Sequence, residues 1–207
     1  MGDNFPVIAD LGCGSGELAR AALKQGIHFQ KYIGCDLSPL MLENFYLQFP
    51  NSSKLPKIEL LAQDFDDFLL GTTKINLFLS SSALQWSRDL AWTLELLARQ
   101  KSKVALFIFT SKTFKSLHAF LDSNSPLQSQ ENVEKLLFTF FEGTAQKLQK
   151  TLLFSDTQAF LAHLRGSGVM GGGVLDFKRA KRLLQYEGVL EYEGLLFIGE
   201  SKLIIKD

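Results

Sequence analysis

Three glycines placed two residues apart, between a predicted strand and a predicted helix, constrain this chain more than any other feature. The apolar run Phe5–Leu11 predicts a buried strand, and Glu17–Gln25 predicts a helix. Gly12, Gly14 and Gly16 lie between them. A strand that turns into a helix in this way brings backbone N–H groups and the positive end of the helix dipole to one point. Because a Cβ would block the approach of a ligand to this backbone, the stretch predicts a site for an anionic or carboxylate-bearing ligand.

Strand-like and helix-like runs alternate through the first 121 residues. The predicted strands are Phe5–Leu11, Tyr32–Asp36, Ile58–Ala62, Ile75–Ser80 and Val104–Thr110, and the predicted helices are Glu17–Gln25, Pro39–Gln48, Leu90–Arg99 and Phe114–Leu121. The continuously apolar run Val104–Phe109 predicts burial on both faces, as in a parallel sheet with helices on each side. The alternation predicts a right-handed, doubly wound α/β fold.

The pattern changes after residue 125. There the predicted elements are a helix Val133–Phe141, a strand Gln149–Phe154, a helix Thr157–Arg165, a basic helix Phe177–Tyr186 and a strand Gly194–Ile198. A chain of 207 residues that is 46% hydrophobic can bury one full core. We therefore expect a single domain over residues 1–207, in which 125–185 forms a substrate-side insertion and C-terminal elements.

Composition excludes several classes of protein. A net charge of zero argues against a dedicated nucleic-acid binder, and no apolar run is long enough to span a membrane. The sequence shows no secretory signal, and Cys13 and Cys35 form neither a disulfide framework nor a metal motif. His28, His118 and His163 are isolated from other metal-binding residue types, so no metal site is predicted. We expect a cytoplasmic monomer without a nucleic-acid or membrane partner.

Acidic residues follow the second and third predicted strands. In a doubly wound sheet, Asp36 at the end of the second strand can accept two hydrogen bonds from a ribose diol. Ser38 and Pro39 then start a helix, as N-cap and first helical residue. Asp64 can accept a hydrogen bond from an adenine amine, and the backbone N–H of Phe65 faces a ring nitrogen. A surface carboxylate is the alternative for Asp36, but the three loops together predict a site for an adenosyl ligand.

The spacing Asp10-x-Gly12-x-Gly14-x-Gly16 resembles motif I of the class I S-adenosylmethionine (SAM)-dependent methyltransferases. A dinucleotide motif requires G-x-G-x-x-G, whereas this sequence has Glu17 where the third glycine would stand. The resemblance implies a Rossmann-like, seven-stranded sheet with SAM as cofactor. We predict a SAM site formed by Asp10, Gly12, Gly14, Gly16, Asp36, Leu37, Met41, Asp64, Phe65 and Ser80.

The segment Ala83–Trp86 resembles a narrower group, the malonyl-acyl-carrier-protein O-methyltransferases of biotin synthesis and their trans-aconitate methyltransferase relatives. The similarity continues in Thr113–His118, in Lys147–Gly168 and in Tyr192–Glu200. It implies transfer of the methyl group to a carboxylate, either of malonyl-acyl-carrier protein or of another small acid. Because a carboxylate is already ionised at neutral pH, catalysis would rest on holding the reacting atoms in line rather than on a general base.

The same resemblance suggests roles for two side chains. Gln85 would orient an acceptor oxygen, and Trp86 would exclude water, although a core aromatic is an equal alternative for Trp86. Arg88 and Arg165 are candidate partners for a substrate carboxylate. The cluster Lys178–Arg182 would dock an acidic carrier protein or form a solvated basic helix face.

Two departures from the narrower group bear on its function. That group usually has Asp where this chain has Asn76 and Asn where it has Ser81, so no acid is expected in the loop after the fourth strand. It also usually carries one or two helices ahead of the glycine motif, which this sequence lacks. A late assigned start, a truncation and a genuine short form are all compatible with the sequence. A SAM-binding protein that is inactive because this lid is missing is therefore a further hypothesis.

Overall fold

A computed structural model describes residues 5–49, 56–72, 74–167, 176–186 and 188–202. Its strands are β1 (Val7–Leu11), β2 (Lys31–Asp36), β3 (Lys57–Ala62), β4 (Leu77–Ser81), β5 (Lys103–Phe109), β6 (Phe141–Leu152) and β7 (Leu190–Ser201). Its helices are α1 (Glu17–Lys24), α2 (Pro39–Gln48), α3 (Phe65–Gly71), α4 (Leu90–Arg99), α5 (Lys115–Leu121), α6 (Gln130–Phe140), α7 (Thr157–Ser167) and α8 (Phe177–Leu183). A single 3₁₀ turn, Leu84–Trp86, follows β4.

All seven strands form one sheet in the order β3-β2-β1-β4-β5-β7-β6. The pairs among β1 to β5 are parallel, whereas β7 runs antiparallel to both β5 and β6. The predicted doubly wound, seven-stranded fold is confirmed. The chain leaves β1 in one direction towards β2 and β3, and returns to the other side of β1 with β4. In such sheets a ligand crevice forms outside the carboxyl ends of the strands at this reversal.

Local start signals explain why two helices begin where the sequence predicts. The Ser38 hydroxyl accepts a hydrogen bond from the N–H of Met41, and Pro39 takes the first helical position of α2. The Asp89 carboxylate accepts from the N–H groups of Ala91 and Trp92 at the start of α4. Both helices have the predicted bounds because these caps are encoded in two or three adjacent residues.

Helices cover the two faces of the sheet unequally. On one face, α3, α4 and α6 bury the main core, which includes Leu106 and Ile108 of β5. On the other face, the described helices form two groups: α1 and α2 pack over β1 to β3, and α5, α7 and α8 pack near the ends of β5, β7 and β6. Phe107 and Phe109 point to this second face and are only half-buried. The expectation that Val104–Phe109 is buried on both faces is therefore wrong for one face.

The last two strands are longer than predicted. β6 covers twelve residues where only Gln149–Phe154 was predicted, and β7 covers twelve where Gly194–Ile198 was predicted. Most residues of β6 are exposed and polar, because β6 is an edge strand, so they carry no burial signal. The strand also begins directly after α6, without a turn residue to mark the change.

One buried carboxylate ties the three strands at this side of the sheet together. Glu193 of β7 is 2% exposed. It accepts hydrogen bonds from the Thr110 hydroxyl (2.8 Å) and the Gln149 amide (2.8 Å), and its Oε2 lies 3.0 Å from Nζ of Lys147. Burial on its own raises the pKa of Glu193, but the bonds from Lys147, Thr110 and Gln149 together hold this pKa below its usual value.

We expect Glu193→Gln to lower the free energy of unfolding by about 1–3 kcal/mol at pH 7, since it breaks a buried charged network. Because the folded pKa is depressed, Glu193 stabilises the fold fully above the pKa of the unfolded chain, and this contribution disappears as the pH falls through the lower folded value. Urea unfolding at pH 7 and in acid measures the difference. Glu200→Gln, an exposed change on the same strand, should stay within about 0.5 kcal/mol of the wild type. Equal losses in the two variants would contradict the role of Glu193.

Candidate functional site

The three positions after β1 are occupied by glycine for different structural reasons. All adopt positive φ, at 73° for Gly12, 52° for Gly14 and 88° for Gly16. A Cβ on Gly12 would lie 2.2 Å from Cβ of Ala83, and one on Gly16 would lie 2.7 Å from the Phe45 ring. A Cβ on Gly14 would meet no atom within 4 Å. Gly12 and Gly16 are thus required by packing inside the protein, whereas Gly14 borders open space that a ligand can enter.

The loop formed by these glycines is fixed by backbone hydrogen bonds to β2. The N–H groups of Gly12 and Cys13 both donate to the carbonyl of Cys35, at 2.8 and 3.0 Å, and the N–H of Gly14 donates to Oδ2 of Asp36 at 2.9 Å. These donors are therefore used within the protein. The first turn of α1 has no side-chain cap among the described residues, so its N–H groups remain available as donors.

Asp36 lies beside the glycine loop as predicted. Its Oδ1 accepts a hydrogen bond from the N–H of Ser38 at 2.8 Å, in addition to the bond from Gly14 to Oδ2. The two bonds orient the half-buried carboxylate. Since an ionised carboxylate has about four lone-pair positions, both oxygens can accept a further hydrogen bond. The arrangement can therefore hold a diol.

The other predicted residues meet at the same edge of the sheet. Asp64 caps α3, where its Oδ1 accepts from the N–H of Asp66 at 2.8 Å. Leu37 and Met41 lie at the rim, with 68% and 41% of their surface exposed. Ser80 is buried, and its hydroxyl donates to the Leu11 carbonyl at 2.8 Å. The strand tips are thus adjacent, and the ligand contacts of these residues stay a prediction.

Gln85 and Trp86 lie on the 3₁₀ turn that follows β4. Nε2 of Gln85 donates to the Ser82 carbonyl at 2.6 Å, and its Oε1 is buried without a hydrogen-bond partner in the part of the chain that the structure describes. The fully buried Leu84 holds this turn against the main core, while Trp86 is 38% exposed. One amide hydrogen and one oxygen of Gln85 therefore stay available to another group.

Asn76 lies at the opposite end of β4 from the site. Its Oδ1 accepts a hydrogen bond from the N–H of Val7 at 2.9 Å, where β1 begins. Ser81, at the carboxyl end, is the substituted position that borders the loop. The change from Asp to Asn at position 76 thus removes no acid from the site, contrary to our expectation.

Asp10 and Tyr32 form a buried pair, of which only Asp10 was predicted as a site residue. Each is 1% exposed, and the Tyr32 hydroxyl donates to Oδ2 of Asp10. Oδ1 of Asp10 is buried and has no hydrogen-bond partner among the described residues. Burial raises the pKa of Asp10 to about 7; the bond from Tyr32 acts in the opposite direction, and the nearby Asp36 charge adds to the rise. The sequence signal for Tyr32 is a hydroxyl within the buried part of β2.

The basic cluster Lys178–Arg182 is partly used inside the fold. Arg179 and Arg182 donate to carbonyl oxygens at the carboxyl end of α5, where unpaired carbonyls attract cations. Lys178 and Lys181 are exposed. The surface that could meet an acidic partner is therefore smaller than the sequence indicates.

The described ranges contain no helix of the length and apolarity that a membrane span needs. Nor do they contain a group of three or more His, Cys, Asp or Glu side chains arranged to hold a metal ion.

Comparison with known proteins places this site in context. Residues 8–101 match a family model described as a methyltransferase domain, and this segment runs from β1 to just beyond α4. It contains the glycine loop, Asp36, Asp64 and the 3₁₀ turn after β4. This segment is therefore similar to methyltransferase domains. Comparison with curated proteins gives no match.

Three solved structures are similar over nearly the whole chain. YcgJ of Bacillus subtilis has a TM-score of 0.66 at 13% identity, covering 95% of this chain and 91% of that one. The cyclopropane synthase MmaA2 of Mycobacterium tuberculosis has a TM-score of 0.58 at 13% identity, covering 96% and 79%. Phosphoethanolamine N-methyltransferase 2 of Haemonchus contortus, solved with S-adenosylhomocysteine (SAH), has a TM-score of 0.59 at 16% identity, covering 97% and 49%. At these identities the likeness shows the fold, which is that of the class I methyltransferases.

The close approach of Ala83 to Gly12 can be tested without a ligand. We expect Gly12→Ala to destabilise the protein more than Gly26→Ala, because Gly26 also has positive φ (74°) but borders open space. The backbone strain alone should cost about 1–2 kcal/mol in both variants. Ala83→Gly added to Gly12→Ala should recover the excess loss, as measured by urea unfolding of the four variants in a double-mutant cycle. Equal losses for Gly12→Ala and Gly26→Ala would show that the contact with Ala83 is unimportant.

Proposed function

We propose that this chain is a SAM-dependent methyltransferase and that it transfers the methyl group of SAM to a carboxylate, with malonyl-acyl-carrier protein as the acceptor. The single observation that supports SAM as the methyl donor is that the carboxyl ends of β1, β2 and β3 lie side by side. This arrangement sets the open space at Gly14, the oriented carboxylate of Asp36 and the cap residue Asp64 along one edge of the sheet.

The chemistry of these residues fits the parts of SAM. Asp36 has lone pairs for the ribose hydroxyls, and Asp64 with the N–H of Phe65 suits the adenine edge. The unpaired buried oxygen of Asp10 suits the amino group, and the amino end of α1 suits the carboxylate of the methionyl part. Each part of the cofactor thus has a complementary group among the residues at this edge.

SAM, when bound, supplies an electrophilic methyl group. The residues of this chain bind and orient the two reactants. Gln85 directs its free amide hydrogen or oxygen to the acceptor, and Trp86 shields the reacting atoms from water. An ionised carboxylate is already a nucleophile, so alignment of the two reactants provides the rate enhancement. Residues 81–86, at the carboxyl end of β4, include no acidic side chain, which is compatible with this chemistry.

The choice of acceptor rests on the segment Ala83–Trp86, which resembles the malonyl-acyl-carrier-protein O-methyltransferases. Lys178 and Lys181 supply exposed positive charge for an acidic carrier protein. A free acid such as trans-aconitate is the second candidate, favoured by the use of Arg179 and Arg182 within the fold. Binding of SAM without turnover is the third.

An assay of methyl transfer from isotopically labelled SAM distinguishes these three candidate functions. The purified chain is incubated with malonyl-acyl-carrier protein, with trans-aconitate and with no acceptor, and the labelled ester is identified by mass spectrometry. We expect label in the malonyl carrier and its loss in Asp36→Ala. Label in trans-aconitate alone would replace the first acceptor with the second. SAH binding without label in either acid would favour a protein that binds but does not turn over.

Gly14 provides a matched test of the binding site. We expect Gly14→Ala and Gly26→Ala to lose similar stability, since both positions combine positive φ with open surroundings. Only Gly14→Ala should weaken SAH binding, by at least about tenfold, because its methyl group enters the space that the ligand occupies. Isothermal titration calorimetry measures both affinities. Unchanged SAH affinity in Gly14→Ala would place the ligand elsewhere.

A further inference from the structure

The Asp10–Tyr32 pair is rigidly packed beside the glycine loop. The Tyr32 ring lies between Phe29 and Phe45, with centroid distances of 5.9 and 5.7 Å. Its hydroxyl therefore has a fixed position, from which it donates to Oδ2 of Asp10. The donation leaves Oδ1, on the same carboxylate, buried and unpaired among the described residues. A buried unpaired carboxylate oxygen is costly to a protein, so a partner for it is expected in the functional state.

The groups around Asp10 provide no cation in the described structure. β2 contributes Tyr32, the thiol of Cys35 and the carboxylate of Asp36, and the glycine loop contributes the thiol of Cys13. Burial raises the pKa of both thiols, so they are neutral at physiological pH. From β4, the register partner of Asp10 is the apolar Leu79.

Helices α1 and α2 pack Ala19 and Phe45 into the apolar cluster that contains Tyr32 and Cys13. Among the described residues, the charge that acts on Asp10 is that of Asp36, which is negative. A positively charged ligand group would therefore relieve both the unpaired oxygen and the repulsion.

We infer that Tyr32 is a positioning residue for the cofactor: its hydroxyl holds the Asp10 carboxylate so that the free oxygen receives the amino group of SAM. This inference rests on the proposed function and assigns a role to a residue outside the predicted site. In the binding step Asp10 releases its proton to solvent, and the ammonium group of the ligand then donates a hydrogen bond to Oδ1.

The protonation of Asp10 should change the affinity for the ligand in one direction only. Without ligand, burial raises the pKa of Asp10 to about 7. An ammonium group next to a carboxylate favours its ionised form, so the bound state holds fewer protons than the free state below this pH. Affinity should therefore rise as the pH rises through about 7 and level off above it. Between pH 6 and pH 8 the expected gain is about tenfold.

Tyr32→Phe tests the role of the hydroxyl while keeping the ring that packs on Phe29 and Phe45. The bond from Tyr32 favours the ionised form of Asp10, so its removal should shift the rise in affinity to higher pH. SAH binding is measured by calorimetry from pH 6 to pH 8.5. We expect Tyr32→Phe to bind clearly more weakly than the wild type at pH 7 and to approach it at pH 8.5. Asp10→Asn should bind weakly with no pH dependence.

Two further measurements separate positioning from a general loss of structure. Calorimetry in two buffers of different ionisation enthalpy counts the proton released, which we expect for the wild type at pH 6.5 and not for Asp10→Asn. 5′-Methylthioadenosine, which lacks the amino-acid part, should bind wild type and Tyr32→Phe equally at every pH.

Several outcomes would overturn the inference. If Tyr32→Phe bound SAH more weakly by the same factor at every pH, Tyr32 would be a packing residue only. The same would follow if this variant lost affinity for 5′-methylthioadenosine to the same degree as for SAH. SAH binding to the wild type with neither pH dependence nor proton release would overturn the inference and leave the proposed function standing, even if Tyr32→Phe failed to fold. A wild type that binds neither nucleoside would overturn both.

Discussion

The parallel pairing of β1 with β2 and β4 is the constraint on which the site depends. It sets Leu11 level with Cys35, so that the Cys35 carbonyl can accept both N–H groups of the turn that follows β1. On the other side, the Ser80 hydroxyl donates to the Leu11 carbonyl and fixes β4 at the same height. The glycine loop is thus attached on both flanks, and the open space at Gly14 has a defined shape before any ligand arrives. Preorganisation of this kind avoids part of the ordering cost of binding.

Elements with local signals could be predicted from the sequence, and elements defined by distant contacts could not. The caps at Ser38 and Asp89 and the apolar runs of β1 to β5 are written in neighbouring residues. β6 is held by pairing with β7, nearly fifty residues later in the chain, and its exposed side chains carry no periodic pattern. The residues of the strand tips could likewise be named in advance, because topology alone brings the carboxyl ends of parallel strands together.

The parts of the site that sequence reasoning missed depend on side-chain geometry across strands. Tyr32 pairs with Ile8 in the sheet, and only the packing of its ring brings its hydroxyl to Asp10. Asn76 was counted with the loop that follows the fourth strand, yet its Oδ1 accepts a hydrogen bond from the N–H of Val7 at the other end of that strand. The basic residues of α8 were counted as surface charge, but two of them satisfy carbonyls of α5. None of these partners is near in sequence.

The two buried carboxylates of the sheet, Glu193 and Asp10, differ in their surroundings, and this difference gives one a structural role and the other a place in the candidate site. Glu193 has three partners, and its pKa is lowered, so it acts as a fixed anion that joins strands. Asp10 has one partner and a raised pKa, so its charge depends on what binds beside it.

The position of β6 at the edge of the sheet has a consequence for association between molecules. The backbone groups of β6 that face away from β7 have no neighbouring strand among the described residues and could pair with another chain. The exposed lysine, glutamine and glutamate side chains along β6 make such edge-to-edge docking costly.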